Sequence, residues 1–397
     1  MAALILKPGR DRSVRLRHPW VFSGAIDRVD GDPAPGATVE VRAADGTLLG
    51  RAAWSPRSMI RGRLWTIGGG ETVGVELFRQ RLRRAVDWRR RAGLLEPGAA
   101  CRLLNGEADG FPGLIVDRYD RWLVAQFLAM GVEVHKEVLA RLLMEEVPGV
   151  SGLYERSDVE VRRKEGLPLQ AGPLLGEEPP GLVVIRERGL DCLVDIRHGH
   201  KTGYYLDQRD NRAWLAPYAA GGRLLNLFSY TGGFALAALQ AGAGETINVD
   251  SSAPALDLLR EQGRRNGLDP ARLVTVQADV FSHLRQLRDA GERFDMVVLD
   301  PPKFAETQAQ VDKAARGYKD INLLALKLLQ PGGLLLTFSC SGAIGDDLFW
   351  KILFGAAVEA GREVQVLARL SAGVDHPLAL AFPEGLYLKG LACRLGH

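Results

Sequence analysis

The spacing of hydrophobic positions changes character near residue 190. Upstream, apolar runs are short and interrupted by glycine, proline and charge. Downstream, runs of five or six mostly apolar residues alternate with stretches of 3.6-residue periodicity. Residues 223–227, 245–249, 273–277, 294–299 and 333–338 read as buried strands, and 231–241, 253–266, 280–290 and 311–329 as the helices between them. That alternation predicts an α/β fold with a Rossmann-like, doubly wound parallel sheet over residues 190–397. Two late runs, 364–370 and 385–394, are expected to complete the sheet.

The first 70 residues carry shorter runs, 39–42, 48–53 and 60–65, with the hairpin dipeptide Asp45-Gly46 between the first two. A small β-barrel is expected there, ended by the flexible joint Gly68-Gly69-Gly70. Residues 75–91 follow a helical period with Leu77, Leu82, Val86 and Trp88 as inward positions. Strands at 102–105, 114–116 and 122–127 follow, then a helix at 132–146 stopped by Pro148-Gly149. A loop rich in Gly and Pro at 172–181 closes this small α+β domain, residues 74–185, with Glu177-Glu178-Pro179-Pro180 as its solvated tip.

Length supports the partition, since 397 residues exceed what one hydrophobic core organises. A composition 46% hydrophobic and 25% charged is that of a globular chain, and no apolar run is long enough to span a bilayer. Residues 1–17 lack the apolar centre of a secretory signal. Cys101, Cys192, Cys340 and Cys393 are too scattered for a disulfide framework or a zinc site, so no metal is expected and a cytoplasmic, reducing location fits. The net charge of +3 hides an asymmetry. Residues 1–100 hold 18 Lys and Arg against 10 Asp and Glu, which leaves 33 against 38 in the remainder. A basic front segment points to an anionic polymer, RNA or DNA, with Arg10, Arg12, Arg15 and Arg17 as phosphate contacts beside the run His18-Pro19-Trp20-Val21-Phe22. A merely solvated arginine-rich face is the bland alternative.

Residues able to do chemistry gather at the predicted strand ends. Asn226, Phe228, Ser229, Tyr230, Thr231 and Gly232 lie where the first strand passes into a helix, a place where glycine admits a close ligand and free N–H groups collect. Asp250 and Ser251 end the second strand, where a carboxylate can take both hydroxyls of a ribose. Asp279 and Val280 end the third, within reach of an adenine amino group. The order G-x-G-x-x-G is absent, which disfavours a pyrophosphate and with it a nicotinamide dehydrogenase. A nucleoside without phosphates fits better, and that points to S-adenosyl-L-methionine.

The fourth strand ends in Asp300-Pro301-Pro302-Lys303 and the fifth in Ser339-Cys340-Ser341. With strand order 3-2-1-4-5, the tips of strands 1, 4 and 5 line one crevice, neighbours lying ~4.8 Å apart. A protonated Asp300 can bond to N3 of a cytosine. Cys340 can add to C6, which makes C5 nucleophilic enough to accept a methyl group. A free thiol has a pKa of about 8.5, so Cys340 needs help, from Lys303 or from the N-terminus of a helix starting near Asp346. From spacing alone, a small buried strand-end cysteine is an equally good account.

Several segments together carry a likeness to a known family. They are the run from Gly199-His200-Lys201-Thr202 to Gln208-Arg209, the loop 226–234, the turn 300–304, Arg316-Gly317-Tyr318-Lys319, residues 338–341, and Pro383-Glu384-Gly385-Leu386-Tyr387-Leu388-Lys389-Gly390. With the N-terminal Pro8-Gly9-Arg10 and His18-Pro19-Trp20, this chain resembles the 23S ribosomal RNA (cytosine-C5) methyltransferases of the RlmI type over essentially its whole length. The resemblance implies a PUA domain in residues 1–70, a small linking domain and a class I methyltransferase domain. It implies S-adenosyl-L-methionine as cofactor and a cytosine of 23S rRNA as target, naked or in a large-subunit precursor particle. Cys340 matches the nucleophile. Phe228 to Gly232 match the methionine contacts, Asp250 the ribose contact, and Asp279 with Val280 the adenine contact. Gln208 and Arg209 match residues that close over the cofactor, although a salt bridge within the domain explains Arg209 equally well. Asn226, Ser251, Asp300 and Pro301 complete the expected cofactor site. One departure stands out: where many RNA cytosine-C5 methyltransferases place a second cysteine that assists release, this chain has Pro302. Asp300, Lys303 or a water must then take the C5 proton.

Two competing readings remain on the sequence. Asp-Pro-Pro motifs also serve enzymes that methylate exocyclic amines without a thiol, and a relic site would leave an RNA-binding assembly factor. No dimerisation helix stands out, though two-fold homodimers are common.

Overall fold

The computed structural model describes residues 1–396. The chain divides into two compact units. The first comprises Met1–Arg186, Val194–Leu206 and Val374–Gly385; the second comprises Glu187–Leu193, Asp207–Gly373 and the chain from Leu386 onward.

The first unit holds two sheets. Ala3–Leu6, Trp20–Phe22, Ile26–Asp30, Thr38–Arg42, Leu48–Trp54 and Ile60–Ile67 form a six-stranded sheet, in which Ala3–Leu6 runs parallel to Thr38–Arg42 and antiparallel to Ile26–Asp30. Leu4, Leu6, Val21, Val39, Val41 and Leu64 fill its core. The expected turn is present: Thr47 donates its amide to Asp45 Oδ1 (2.9 Å), and Gly46 takes a φ of +87°. The second sheet places Gln170–Gly176, Gly152–Ser157, Trp122–Phe127, Leu114–Tyr119 and Ala100–Asn105 in that spatial order. Ala53 and Trp65 of the first sheet share a core with Phe78, Leu82, Phe111 and Leu123, so the glycine run at 68–70 does not interrupt hydrophobic packing.

Three expectations for this unit need correction. The helix Val75–Arg91 buries Leu77, Phe78, Leu82, Ala85, Val86 and Arg89, whereas Trp88 is 49% exposed. The inward stripe runs through 78, 82, 85 and 89, and Trp88 falls just outside it. Arg89 is tolerated inside because Asp109 takes both terminal nitrogens of its guanidinium (2.7 and 2.8 Å). The single helix expected at 132–146 is two, Met130–Val134 and Lys136–Glu146, broken at His135. The loop expected from 172 is a strand through Gly176. Its Pro173 is accommodated because this is an edge strand, where a missing N–H costs no ladder bond.

The second unit is a seven-stranded sheet with helices on both faces. Its strands are β1 (Arg223–Leu227), β2 (Glu245–Asp250), β3 (Leu273–Gln277), β4 (Phe294–Leu299), β5 (Leu329–Ser339), β6 (Val364–Ser371) and β7 (Lys389–Leu395). A short helix, Arg209–Leu215, precedes the sheet, and the helices that follow its strands are α1 (Gly233–Gln240), α2 (Ala253–Arg265), α3 (Val280–Asp289), α4 (Val311–Leu328) and α5 (Asp346–Ala360). The spatial order is β3-β2-β1-β4-β5-β7-β6, with the first five strands parallel and β7 antiparallel to both its neighbours. Alternate residues of each strand face opposite layers. Leu225, Leu227, Val297, Leu299 and Leu335 pack toward Leu284, Tyr318 and Phe349, while Leu224, Met296, Val298 and Leu336 pack toward Phe234 and Ala238.

The last strand begins at Lys389 rather than at 385, because Pro383–Gly385 forms a 3-10 turn that belongs to the first unit. Among the described residues no helix is long and apolar enough to cross a membrane.

Candidate active site

Register brings the parallel strand ends level. Leu227 lies opposite Leu299, and Leu299 opposite Thr337, so the segments after β1, β4 and β5 leave one edge of the sheet side by side. The order changes direction between β1 and β4, the switch point at which such sheets hold ligands.

The loop after β1 is strained and tightly held. Phe228 and Tyr230 take φ of +58° and +47°, a left-handed conformation that costs of order 1–3 kcal/mol per non-glycine residue. It persists because backbone and side chains over-determine it. Ser229 N donates to Val249 O (3.0 Å), Tyr230 N to Asp250 Oδ2 (2.8 Å), and Gln262 Nε2 to Thr231 O (2.8 Å). Gly232 has a φ of +74°, and a Cβ there would lie 2.2 Å from Leu259 Cδ1. Glycine is therefore required for space as well as conformation.

Asp250 joins two strand ends. One carboxylate oxygen accepts the Tyr230 amide and the other the Ser252 amide (2.9 Å), which leaves lone pairs on both oxygens. Ser251 beside it is exposed. Asp279 caps α3 through Oδ1, which accepts from the amide and hydroxyl of Ser282 (both 2.9 Å); Val280 next to it is buried. Asn226 is buried, and its amide donates to Asn248 Oδ1 (2.9 Å). That side chain is engaged within the sheet and supports the loop from below. Gln208 is buried, with Oε1 accepting from Asn211 (2.6 Å), and Arg209 is almost as buried, 3.9 Å from Asp210.

Gln208 Nε2 and Ser229 Oγ are buried and meet no hydrogen-bond partner among the described residues. Buried polar atoms of this kind are costly unless something satisfies them. The strand ends offer a tight backbone turn at 228–232 and the carboxylates of Asp250 and Asp279, a set suited to the hydroxyl and amino groups of a nucleoside.

Asp300 stands half-buried at the end of β4, Pro301 is buried, and Pro302 and Lys303 are exposed. Cys340 is partly exposed, and its Sγ lies 3.8 Å from the Pro301 carbonyl. The two motifs therefore meet. The structure keeps them together through Ser341. Its Oγ accepts the amides of Phe304 (3.2 Å) and Ala305 (3.3 Å) and lies 3.1 Å from the Tyr318 hydroxyl. With both lone pairs taken, the Ser341 proton goes to Tyr318. Burial pushes the Tyr318 phenol up, so it stays neutral. The other three cysteines are buried, and burial pushes the Cys393 thiol up to about 12. Only Cys340 combines exposure with a polar neighbourhood.

Two features escaped the sequence reading. Phe228, Phe281, Phe304 and Tyr318 form a ring cluster, with centroids 6.4 Å (Phe228–Phe281 and Phe228–Phe304), 5.8 Å (Phe281–Phe304) and 4.6 Å (Phe304–Tyr318) apart, which ties together the segments after β1, β3 and β4. Nothing in their spacing announces it. Lys389, the first residue of β7, donates to the Ser341 carbonyl (2.8 Å). It stood inside a motif but carried no assigned role. In the first unit, Arg10, Arg12, Arg15 and Arg17 are all exposed; Arg15 pairs with Asp11 (2.6 Å).

Comparison with known proteins agrees with this geometry. A family model for S-adenosylmethionine-dependent methyltransferases matches residues 156–378, and one for a PUA-like domain matches residues 4–66. The chain is 48% identical over 99% of its length to a protein of Salmonella arizonae named ribosomal RNA large subunit methyltransferase I, covering 97% of that protein. It is 50% identical to the protein of the same name from Erwinia tasmaniensis, covering 99% of both. A putative S-adenosylmethionine-dependent methyltransferase from Streptococcus mutans superposes with a TM-score of 0.85 at 23% identity, over 99% of this chain and 100% of that one. A putative methyltransferase complexed with S-adenosylhomocysteine superposes with the same score at 24% identity. At such identities the likeness speaks for the fold.

Proposed function

Because this chain belongs to the ribosomal RNA large subunit methyltransferase I family, we propose that it methylates C5 of a cytosine in 23S rRNA through a covalent bond between Cys340 and C6. It is an S-adenosylmethionine-dependent rRNA methyltransferase with a PUA-like domain. The observation that carries the finer reading is the meeting of Cys340 Sγ with the Pro301 carbonyl, which sets a thiol at the Asp-Pro-Pro turn.

S-adenosylmethionine supplies an electrophilic methyl group. The loop Phe228 to Gly232, Asp250 with Ser251, and Asp279 with Val280 would hold it, together with Gln208, Arg209, Asp300 and Pro301. Cys340 acts as thiolate: its sulfur bonds to C6, and the C5–C6 π pair moves toward C5 and the ring. Asp300 supports this at N3 by holding a proton there. That π pair bonds the methyl group to C5 as the methyl–sulfonium bond breaks to leave a neutral thioether; a base then takes the C5 proton, the C5–H pair re-forms the C5–C6 double bond, and the S–C6 bond breaks to return the thiolate. No cysteine stands at Pro302, so that base is Asp300, Lys303 or a water. A pyrimidine inside a duplex cannot reach Cys340, so the target is flipped or single-stranded.

Within the chain, we assign residues 1–70 to RNA binding, 74–185 to a linking domain and 190–397 to catalysis. The test is incubation with labelled S-adenosylmethionine and 23S rRNA, both naked and in precursor particles, followed by mapping of the modified nucleotide. A methyl group on an exocyclic amine would reject the C5 reading.

Arg10, Arg12, Arg15 and Arg17 are proposed phosphate contacts. Neutralising all four is expected to weaken RNA binding and to flatten the dependence of log Kd on log salt by about 0.7 per lost contact with single-stranded RNA. Arg15, already paired with Asp11, should contribute least. Filter binding at several salt concentrations measures the slope, and an unchanged slope moves the RNA surface elsewhere.

A further inference from the structure

Lys389 is a buried cation that forms no ion pair among the described residues. Its Cα lies opposite Ser339 of β5, and only 6% of the residue is exposed. Nζ donates to the carbonyls of Ser341 (2.8 Å) and Tyr387 (3.1 Å). Among the described residues no carboxylate comes within 4.0 Å of it. Holding a loop requires only a hydrogen-bond donor, and a neutral amide would do that without desolvating a charge. The charge itself therefore calls for an explanation.

Lys389 sits opposite the residue before Cys340 and bonds to the residue after it. The charges that act on Lys389 are those of Asp346 at the start of α5, Lys303 after β4 and Cys340 itself; Tyr318 on α4 also feels Cys340, and Asp300 adjoins Pro301, the residue whose carbonyl the thiol meets. Tyr318 stays neutral, Asp346 opposes a thiolate, and Lys303 is exposed to water. Lys389 is the one buried positive group of the set.

We propose that Lys389 is a positioning residue whose charge stabilises the Cys340 thiolate. This deepens the reading of Cys340 as nucleophile, and it specifies which group makes the thiol ionise. The thiol proton goes to water, since Lys389 keeps its own. Burial pushes the Lys389 ammonium down, while Asp346 and Cys340 push it back up; a thiolate partner thus stabilises the protonated form.

The experiment is alkylation by iodoacetamide as a function of pH on the full-length protein, read as mass gained by the Cys340 peptide. The other three cysteines are at most 1% exposed, which isolates the signal. In Lys389→Met and Lys389→Gln, the midpoint of alkylation is expected to rise by about one pH unit, so that the rate at pH 7 falls about tenfold with the high-pH plateau unchanged. Gln keeps a donor for the Ser341 carbonyl. A midpoint in Lys389→Gln equal to that of the unchanged protein assigns Lys389 to loop-holding alone and overturns the proposal. A thermal melt identifies a variant that fails to fold; should Met do so, Gln decides. No RNA or cofactor enters the measurement, so the coupling can fail while Cys340 remains the nucleophile, and can stand even where Cys340 proves dispensable for methylation.

Discussion

Cys340→Ala is expected to lower kcat for rRNA methylation by about a thousandfold or more, the scale seen when a covalent nucleophile is removed. Binding of S-adenosylmethionine, measured by calorimetry, should stay within about twofold, because Cys340 meets the Pro301 turn, whereas Asp250 and Gln262 anchor the loop after β1. The contrast between the two readouts is what separates the thiol mechanism from its rival. A transfer to an exocyclic amine needs no sulfur, so an active Cys340→Ala protein would leave only the Asp-Pro-Pro turn as the reacting site. Ser341 is no substitute for the missing thiol. Its hydroxyl is committed to Phe304, Ala305 and Tyr318.

Asp250→Ala is expected to do the reverse, weakening S-adenosylmethionine binding by about a hundredfold or more. Two losses add. One is the acceptor proposed for the ribose, and a hydrogen bond to a charged group contributes roughly 1.5–3 kcal/mol. The other is the anchor of the strained loop, since the Asp250 carboxylate holds the amide of Tyr230, which with Phe228 takes a positive φ there. Without it, Phe228 and Tyr230 can relax toward ordinary backbone, and the binding surface loses its shape. Asp250→Asn should recover part of the affinity, because one oxygen remains to accept. Calorimetry on both variants gives the comparison. Equal and unimpaired binding would move the ribose contact away from β2.

The sheet and its strand ends were legible because the information is local. A buried parallel strand shows itself as a short apolar run, and a crossover helix as a 3.6-residue period; β1, β3 and β4 match their sequence ranges residue for residue. The order 3-2-1-4-5, taken from the usual pattern of doubly wound sheets, is the order observed. Elements that depend on distant partners were not legible. Ala3–Leu6 is too short to announce itself, and it is a strand because Thr38–Arg42 and Ile26–Asp30 flank it. Pro173 argued against a strand until the edge position removed the objection. Trp88 was expected inside, but Arg89 is the residue buried there, because an aspartate twenty residues away in sequence satisfies the guanidinium.

The sequence alone determined which residues end each strand, hence that a carboxylate, a Pro-Pro turn and a cysteine share one edge of one sheet. Whether they touch was decided by register and by contacts between residues far apart in the chain. Cys340 meets Pro301 across 39 positions, and Lys389 meets Ser341 across 48. Periodicity and propensity act over a few residues and are blind to such pairs. Only the closed packing of β4, β5 and β7, with its hydrogen bonds to Ser341, brings the groups to bonding distance.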